Sequence, residues 1–98
     1  MRKAYISGKI TGLPLDEARR NFSDTADTVH SIFGCAVVNP MEDVEYHPDK
    51  TWGMYMLEGA KLMLGCDTVV SMDNWEDSKG ARIEFGLANI LGLNKMFV

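Results

Sequence analysis

Ninety-eight residues suit one domain with one core, and an apolar share of 46% beside 24% charged residues is the balance of an ordinary soluble globular chain. The formal net charge of −4, with no run of Lys or Arg longer than a pair, argues against polymeric nucleic acid as the main partner. So short a chain buries a modest fraction of its surface, so a deep pocket is expected to borrow walls from a second subunit, which makes a homo-oligomer the expectation.

The start, Met1 to Gly8, turns polar too soon for the apolar core of a signal peptide, and no apolar run reaches the length of a membrane span, so a cytoplasmic setting without a membrane partner is expected. Ala4-Tyr5-Ile6 reads as a first strand, stopped by Ser7-Gly8 and followed by a loop through Gly12-Leu13-Pro14. Ala18, Phe22, Ala26, Val29 and Phe33 then recur at helical steps and predict a helix from Leu15 to Phe33, with Gly34 ending it. Cys35-Ala36-Val37-Val38 is a second strand closed by Asn39-Pro40. Residues 41–51, rich in Pro, Asp, Glu and His, show no periodicity and read as a surface loop and candidate lid.

Thr51 is a suitable N-cap for a second helix whose stripe runs Trp52, Tyr55, Met56, Gly59, Ala60, Met63, Leu64, with Gly65 after the last turn. Thr68 to Met72 is a third strand. Ile83, Leu87, Ile90 and Leu91 stripe a third long helix stopped by Gly92, and Lys95 to Val98 is a closing strand. Strands alternating with helices predict right-handed crossovers and an α/β three-layer sandwich: a flavodoxin-like, four-stranded parallel sheet of order 2-1-3-4 in one domain spanning 1–98. Strands 1 and 3 then flank the switch point, which sets the loop Ser7 to Gly12 beside the loop Met72 to Gly80. Cys35 and Cys66 belong to no cluster with zinc spacing, so they read as reduced, buried thiols, and neither a metal nor an organic cofactor is expected.

The residues with chemical potential gather at those two loops. Glu84 lies between Ile83 and Phe85, one turn before Ala88, so its face is near the apolar side of its helix, where a merely solvated Glu would point away. Close to a helix start with Ser78 or Gly80 at the boundary, a carboxylate is favoured as the anion and can act as a nucleophile. Asp73, at the pocket end of the third strand, is the preferred acid, with Glu76 and Asp77 competing; a carboxylate and a carboxylic acid about one sugar carbon are what glycosidic cleavage needs. Gly8-Lys9-Ile10-Thr11-Gly12 offers backbone N–H groups to a phosphate or sugar oxygen, though it is neither a dinucleotide fingerprint nor a Walker loop. Of the two tryptophans, Trp75 in the polar loop is assigned to the ligand and Trp52, at a helix start, to packing.

These segments, Tyr5-Ile6-Ser7-Gly8-Lys9-Ile10-Thr11-Gly12, Val38-Asn39-Pro40, and Cys66-Asp67 through Asp73-Asn74-Trp75-Glu76-Asp77-Ser78-Lys79-Gly80-Ala81 to Glu84 and Ala88, resemble the small nucleoside 2-deoxyribosyltransferase-like domains over nearly the whole chain. That superfamily includes 2′-deoxynucleoside 5′-phosphate N-hydrolases. The resemblance implies that Glu84, in a Gly-x-x-x-Glu-x-Gly-x-Ala pattern with Gly80, Gly86 and Ala88, is the nucleophile. It also implies that Tyr5 and the loop Gly8, Ile10, Gly12 line the deoxyribose and phosphate side. Lys9 and Thr11 stand where the hydrolase loop carries Ser and Arg, which leaves the 5′-phosphate preference open.

The expected activity is therefore cleavage or transfer of the N-glycosidic bond of 2-deoxyribonucleosides or their 5′-monophosphates, with Glu84 and Asp73 catalytic and Tyr5, Ser7, Gly8, Lys9, Ile10, Gly12, Trp75, Ser78 and Gly80 binding a small nucleoside or nucleotide. The rivals are a nucleotide-sensing module without turnover and a structural protein with a vestigial pocket.

Overall fold

The computed structural model describes Met1 to Val98. In chain order it comprises β1 (Lys3–Ser7), α1 (Leu15–Phe33), β2 (Ala36–Val38), α2 (Pro40–Asp43), α3 (Trp52–Met63), β3 (Thr68–Ser71), a 3₁₀ turn (Trp75–Asp77), α4 (Lys79–Leu91) and β4 (Asn94–Phe97). The strands form one sheet in the order β2-β1-β3-β4, every pair parallel, as the alternation of strands and helices predicts. Tyr5 pairs with Val38 on one side and Val69 on the other, and Ser7 with Ser71.

Side chains of a strand alternate between the two faces of the sheet, and here each face has its own core. Ala4, Ile6, Val70 and Met72 pack with Phe22 and Val29 of α1 and with Cys35. Tyr5, Val69 and Val38 pack on the other face with Met63 of α3, Ala88 of α4 and Cys66. The two free cysteines are thus buried on opposite sides of the sheet. Phe22 is fully buried at the centre of the α1 side. Phe22→Ala is expected to cost about 3–5 kcal/mol, read as a lower denaturant midpoint at unchanged slope.

The helix ends follow local rules. Gly34 and Gly92 adopt left-handed φ of 62° and 73° and close α1 and α4, while the Thr51 hydroxyl accepts from the Met54 N–H at the start of α3. At the N-terminal edge of the sheet the Asp67 carboxylate accepts from the Arg2 N–H (2.8 Å) and the Thr68 hydroxyl (2.9 Å), bonds that hold its pKa below the usual carboxylate range.

Three details depart from the periodicity reading. Residues 41–51 are not one loop: Asn39 caps a short helix, its side chain accepting from the Met41 N–H, with Pro40 in the first turn and Asp43 accepting from the Asn39 N–H. The rest of the segment is tied to α3, because the Tyr55 hydroxyl bonds both the N–H and the carbonyl of His47, and Lys50 pairs with Glu58 at 2.9 Å. Secondly, Phe33 is exposed at the last turn of α1. Thirdly, the face of α4 against the sheet is Ala81, Glu84 and Ala88 rather than the bulky stripe: Ile83 and Ile90 are exposed, the latter by 83%. Alanines let α4 approach the strands closely, Leu87 packs against the same core, and Ile83 and Ile90 are left outside.

Candidate functional site

At the carboxyl ends of β1 and β3 the two expected loops meet. The Lys9 N–H donates to Asn74 Oδ1 at 3.0 Å, and the Met72 N–H donates to the Ser7 carbonyl at 2.9 Å. Gly8 lies beneath this junction: a Cβ there would come within 2.0 Å of Met72 Cε and 3.1 Å of Asn74 Oδ1. Gly12 has φ of 91°, which only glycine adopts without strain, and the Leu13 N–H closes the turn on the Ile10 carbonyl. Both glycines of the loop thus have structural reasons independent of a ligand.

Glu84 is the meeting point of the α3/α4 face. Tyr5 Oη donates to its Oε2 at 2.6 Å and Ser7 Oγ to its Oε1 at 2.7 Å. Tyr5 and Ser7 stand two residues apart on one strand, hence on one side of the sheet, and each serves one carboxylate oxygen with a short, charge-assisted bond. Neither of the two ion pairs in the structure, His47 with Asp49 and Lys50 with Glu58, involves Glu84, so hydroxyls alone hold it. Burial pushes the Glu84 carboxyl above its ordinary range, and the two hydroxyl bonds pull in the opposite direction. Burial, and then the neighbouring Glu84 charge, push the Tyr5 phenol far above its usual value, so it stays protonated as a donor.

Glu84 stands deeper in its helix than its sequence position beside Ser78 and Gly80 suggests. The Ser78 hydroxyl accepts from the Ala81 N–H at 3.1 Å and caps α4, which places Glu84 in the second turn. The helix dipole fades within the first turn, so hydrogen bonding and burial govern this carboxylate.

Gly59, in sequence only one member of the α3 stripe, closes the arrangement. A Cβ on it would stand 2.7 Å from Tyr5 Oη and 3.1 Å from Glu84 Oε2, so α3 passes directly over the bonded pair. A glycine inside a helix costs about 1 kcal/mol relative to alanine, and that cost is the signal available in the sequence. Gly59→Ala is expected to gain helix propensity yet lose stability by about 1–3 kcal/mol, because the added methyl forces Tyr5 or α3 to move; thermal melts of the two proteins check this. Ser71, in register with Ser7, is buried beside it and is a further polar neighbour that sequence reading missed.

The remaining candidates are placed differently. Asp73 is exposed and lines a cavity of about 350 Å³ together with Asn21, Asp24, Thr25 and Thr28 of α1, on the side of the sheet away from α3 and α4. Glu76 and Asp77 are exposed in the 3₁₀ turn. Trp75 stacks on Phe85 with ring centroids 4.7 Å apart and also contacts Phe97 at 5.9 Å, so its indole belongs to an aromatic cluster. Lys9 and Ile10 stand at the mouth of the first loop. Gly80 is a contact point, where a Cβ would meet Met56 Sδ at 3.1 Å. Nowhere do three His, Cys, Asp or Glu side chains converge, and no helix is long and apolar enough to cross a membrane.

The model of a family described as a domain of unknown function, DUF4406, matches residues 2–97. The chain belongs to this family. Among curated proteins none matches it in sequence. Among solved structures, a 2-desoxiribosyltransferase from Leishmania mexicana is similar, with a TM-score of 0.72 over 99% of this chain at 15% identity. The chain spans 63% of that protein's length. At this identity the likeness establishes a shared fold, the parallel α/β sheet described above.

Proposed function

We propose that this DUF4406 domain breaks or transfers the N-glycosidic bond of 2-deoxyribonucleosides or their 5′-monophosphates, with Glu84 as nucleophile. The observation that carries the proposal is the Glu84 carboxylate held by two hydroxyls and no cation, at the carboxyl end of the strands flanking the switch point. A carboxylate left without a neutralising partner can offset the positive charge that develops at a sugar carbon as its base departs. One Glu84 oxygen bonds to C1′ while the C1′–N bond breaks and its electron pair leaves with the base. Water, or the nitrogen of a second base, then bonds to C1′, gives up its proton to solvent and releases the Glu84 oxygen, which regenerates the carboxylate.

In this proposal the departing base takes its proton from water. Tyr5 is committed to Glu84, and Asp73, the acid expected from the loop pattern, opens toward α1. The nucleoside is the proposed small-molecule partner, in an intracellular setting. A homo-oligomer that covers the exposed Leu57 on α3, Leu64 just after it and Ile90 on α4 belongs to the same proposal.

The test is incubation with a panel of deoxynucleosides and their monophosphates, followed by chromatography for free or exchanged base. Release by the wild type and its loss in Glu84→Ala support the assignment; equal turnover by both, or none by the wild type, overturns it. A second reading, nucleotide binding without turnover, is favoured by one observation. Glu84 lines neither the 350 Å³ cavity beside Asp73 nor a second of similar volume beside Arg19, Arg20 and Asn39. Calorimetric binding of nucleotides together with a silent panel would establish that reading.

A further inference from the structure

Resting on the glycosyl-transfer reading, we propose that the face of α3 formed by Trp52 and Met56 is the platform for the base of the nucleoside, with Trp52 as its stacking residue. Trp52, Met56 and Gly59 are spaced four and three residues apart and so share one side of the helix. The Gly59 end of this row faces Tyr5 Oη and Glu84 Oε2, as the position of its missing Cβ shows. The other end faces the start of α4: Met56 Sδ and Trp52 Cζ2 lie 3.1 and 3.8 Å from where a Cβ on Gly80 would stand, four residues before Glu84. A line of contact between α3 and α4 therefore runs from the indole to the carboxylate. The seven-residue step from Trp52 to Gly59 spans about 10 Å along α3, which a base joined to a sugar carbon at Glu84 would have to follow.

The two tryptophans are not equivalent. Trp75 is already stacked on Phe85 and Phe97, whereas Trp52 is 45% exposed at the first residue of its helix. Its aromatic partner is a cation, Lys79 Nζ, 5.0 Å from the ring centroid. Such a contact is weak at an exposed site and is readily exchanged for a planar base. Every nucleobase has a π-face, so stacking of this kind holds the leaving group while tolerating its identity. The thioether of Met56, polarisable and unbranched, adapts to purine or pyrimidine below it.

The experiment combines tryptophan emission with kinetics, using thymidine, 2′-deoxyadenosine 5′-monophosphate and base-free 2-deoxyribose as probes. The two base-bearing probes are expected to quench emission in the wild type and in Trp75→Phe but not in Trp52→Phe, and 2-deoxyribose to quench none. Trp52→Ala is expected to raise KM about tenfold, the weight of one base–aromatic stack, with kcat changed less than about threefold and KM partly restored in Trp52→Phe. Unchanged KM in Trp52→Ala, or quenching that persists in Trp52→Phe, overturns the platform. A silent substrate panel with Trp52-dependent quenching intact overturns the proposed chemistry and keeps the platform, while silence without quenching overturns both.

Discussion

Glu84→Gln is expected to abolish base release, by roughly 10³-fold or more, while making the protein more stable at neutral pH. Loss of activity and gain of stability have one cause. Burial raises the folded-state pKa of Glu84 above its ordinary value of 4.5, so the native protein binds that proton more tightly than the unfolded chain does. The carboxyl therefore contributes stability that is fully present below the unfolded pKa and is lost as pH rises through the folded pKa. Above that window the carboxylate is ionised in both states, and its ionisation is a constant cost to the fold. Glutamine carries no charge and escapes that cost. The melting temperature of Glu84→Gln should exceed that of the wild type near pH 7, and the two curves should converge toward pH 4. In a domain of this size each kcal/mol relieved shifts the melting point by about 4–8 °C. Equal pH profiles of stability would show that Glu84 does not carry the buried charge.

Tyr5→Phe should slow base release and move the acid limb of its pH profile to higher pH. The phenol is one of two donors that lower the pKa of Glu84 against the effect of burial, and phenylalanine removes it with little change of shape. A hydrogen bond to a charged group is worth about 1.5–3 kcal/mol, so its loss lets burial raise the carboxyl further. Ionised nucleophile is then available only at higher pH, so the loss at neutral pH should be partly recovered in alkaline buffer. Ser7→Ala should act in the same direction through the other oxygen. Rate profiles of the three proteins across the pH range check this; parallel profiles that differ only in height would mean that the hydroxyls merely pack against Glu84.

Much of this architecture is legible in the sequence because it rests on strong local signals. Four apolar runs separated by periodic helices, with Gly34 and Gly92 at helix ends and Thr51 at a helix start, mark the elements and a parallel sheet, and the flavodoxin-like order chosen for it is the one observed. The convergence of the first and third loops follows from the order. The short helix after Asn39 is also written there, as an N-cap, a proline and two acids, but the same proline marks the end of a strand and that signal masks the helix. Which face of α4 meets the sheet is not legible: two apolar faces compete, and the winner is set by how close Ala81 and Ala88 let the helix come. The same holds for the site. Glu84 stands out by its place near an apolar face, but Gly59 and Asn74 act across 25 and 65 residues of chain, distances at which spacing carries no information. The packing of Trp75 depends on Phe85 and Phe97, and the Phe97 ring meets it only once β4 is paired.

The alternation along β1 limits how this domain can change. Five residues, Lys3 to Ser7, supply the hydrophobic wall under α1 through Ala4 and Ile6 and the hydroxyls under Glu84 through Tyr5 and Ser7. A slip of one position would exchange the two sets, presenting a phenol and an alcohol to Phe22 and an alanine and an isoleucine to the carboxylate. An insertion or deletion within this strand would thus damage folding and chemistry together, whereas drift by substitution could silence the hydroxyls and leave the scaffold standing.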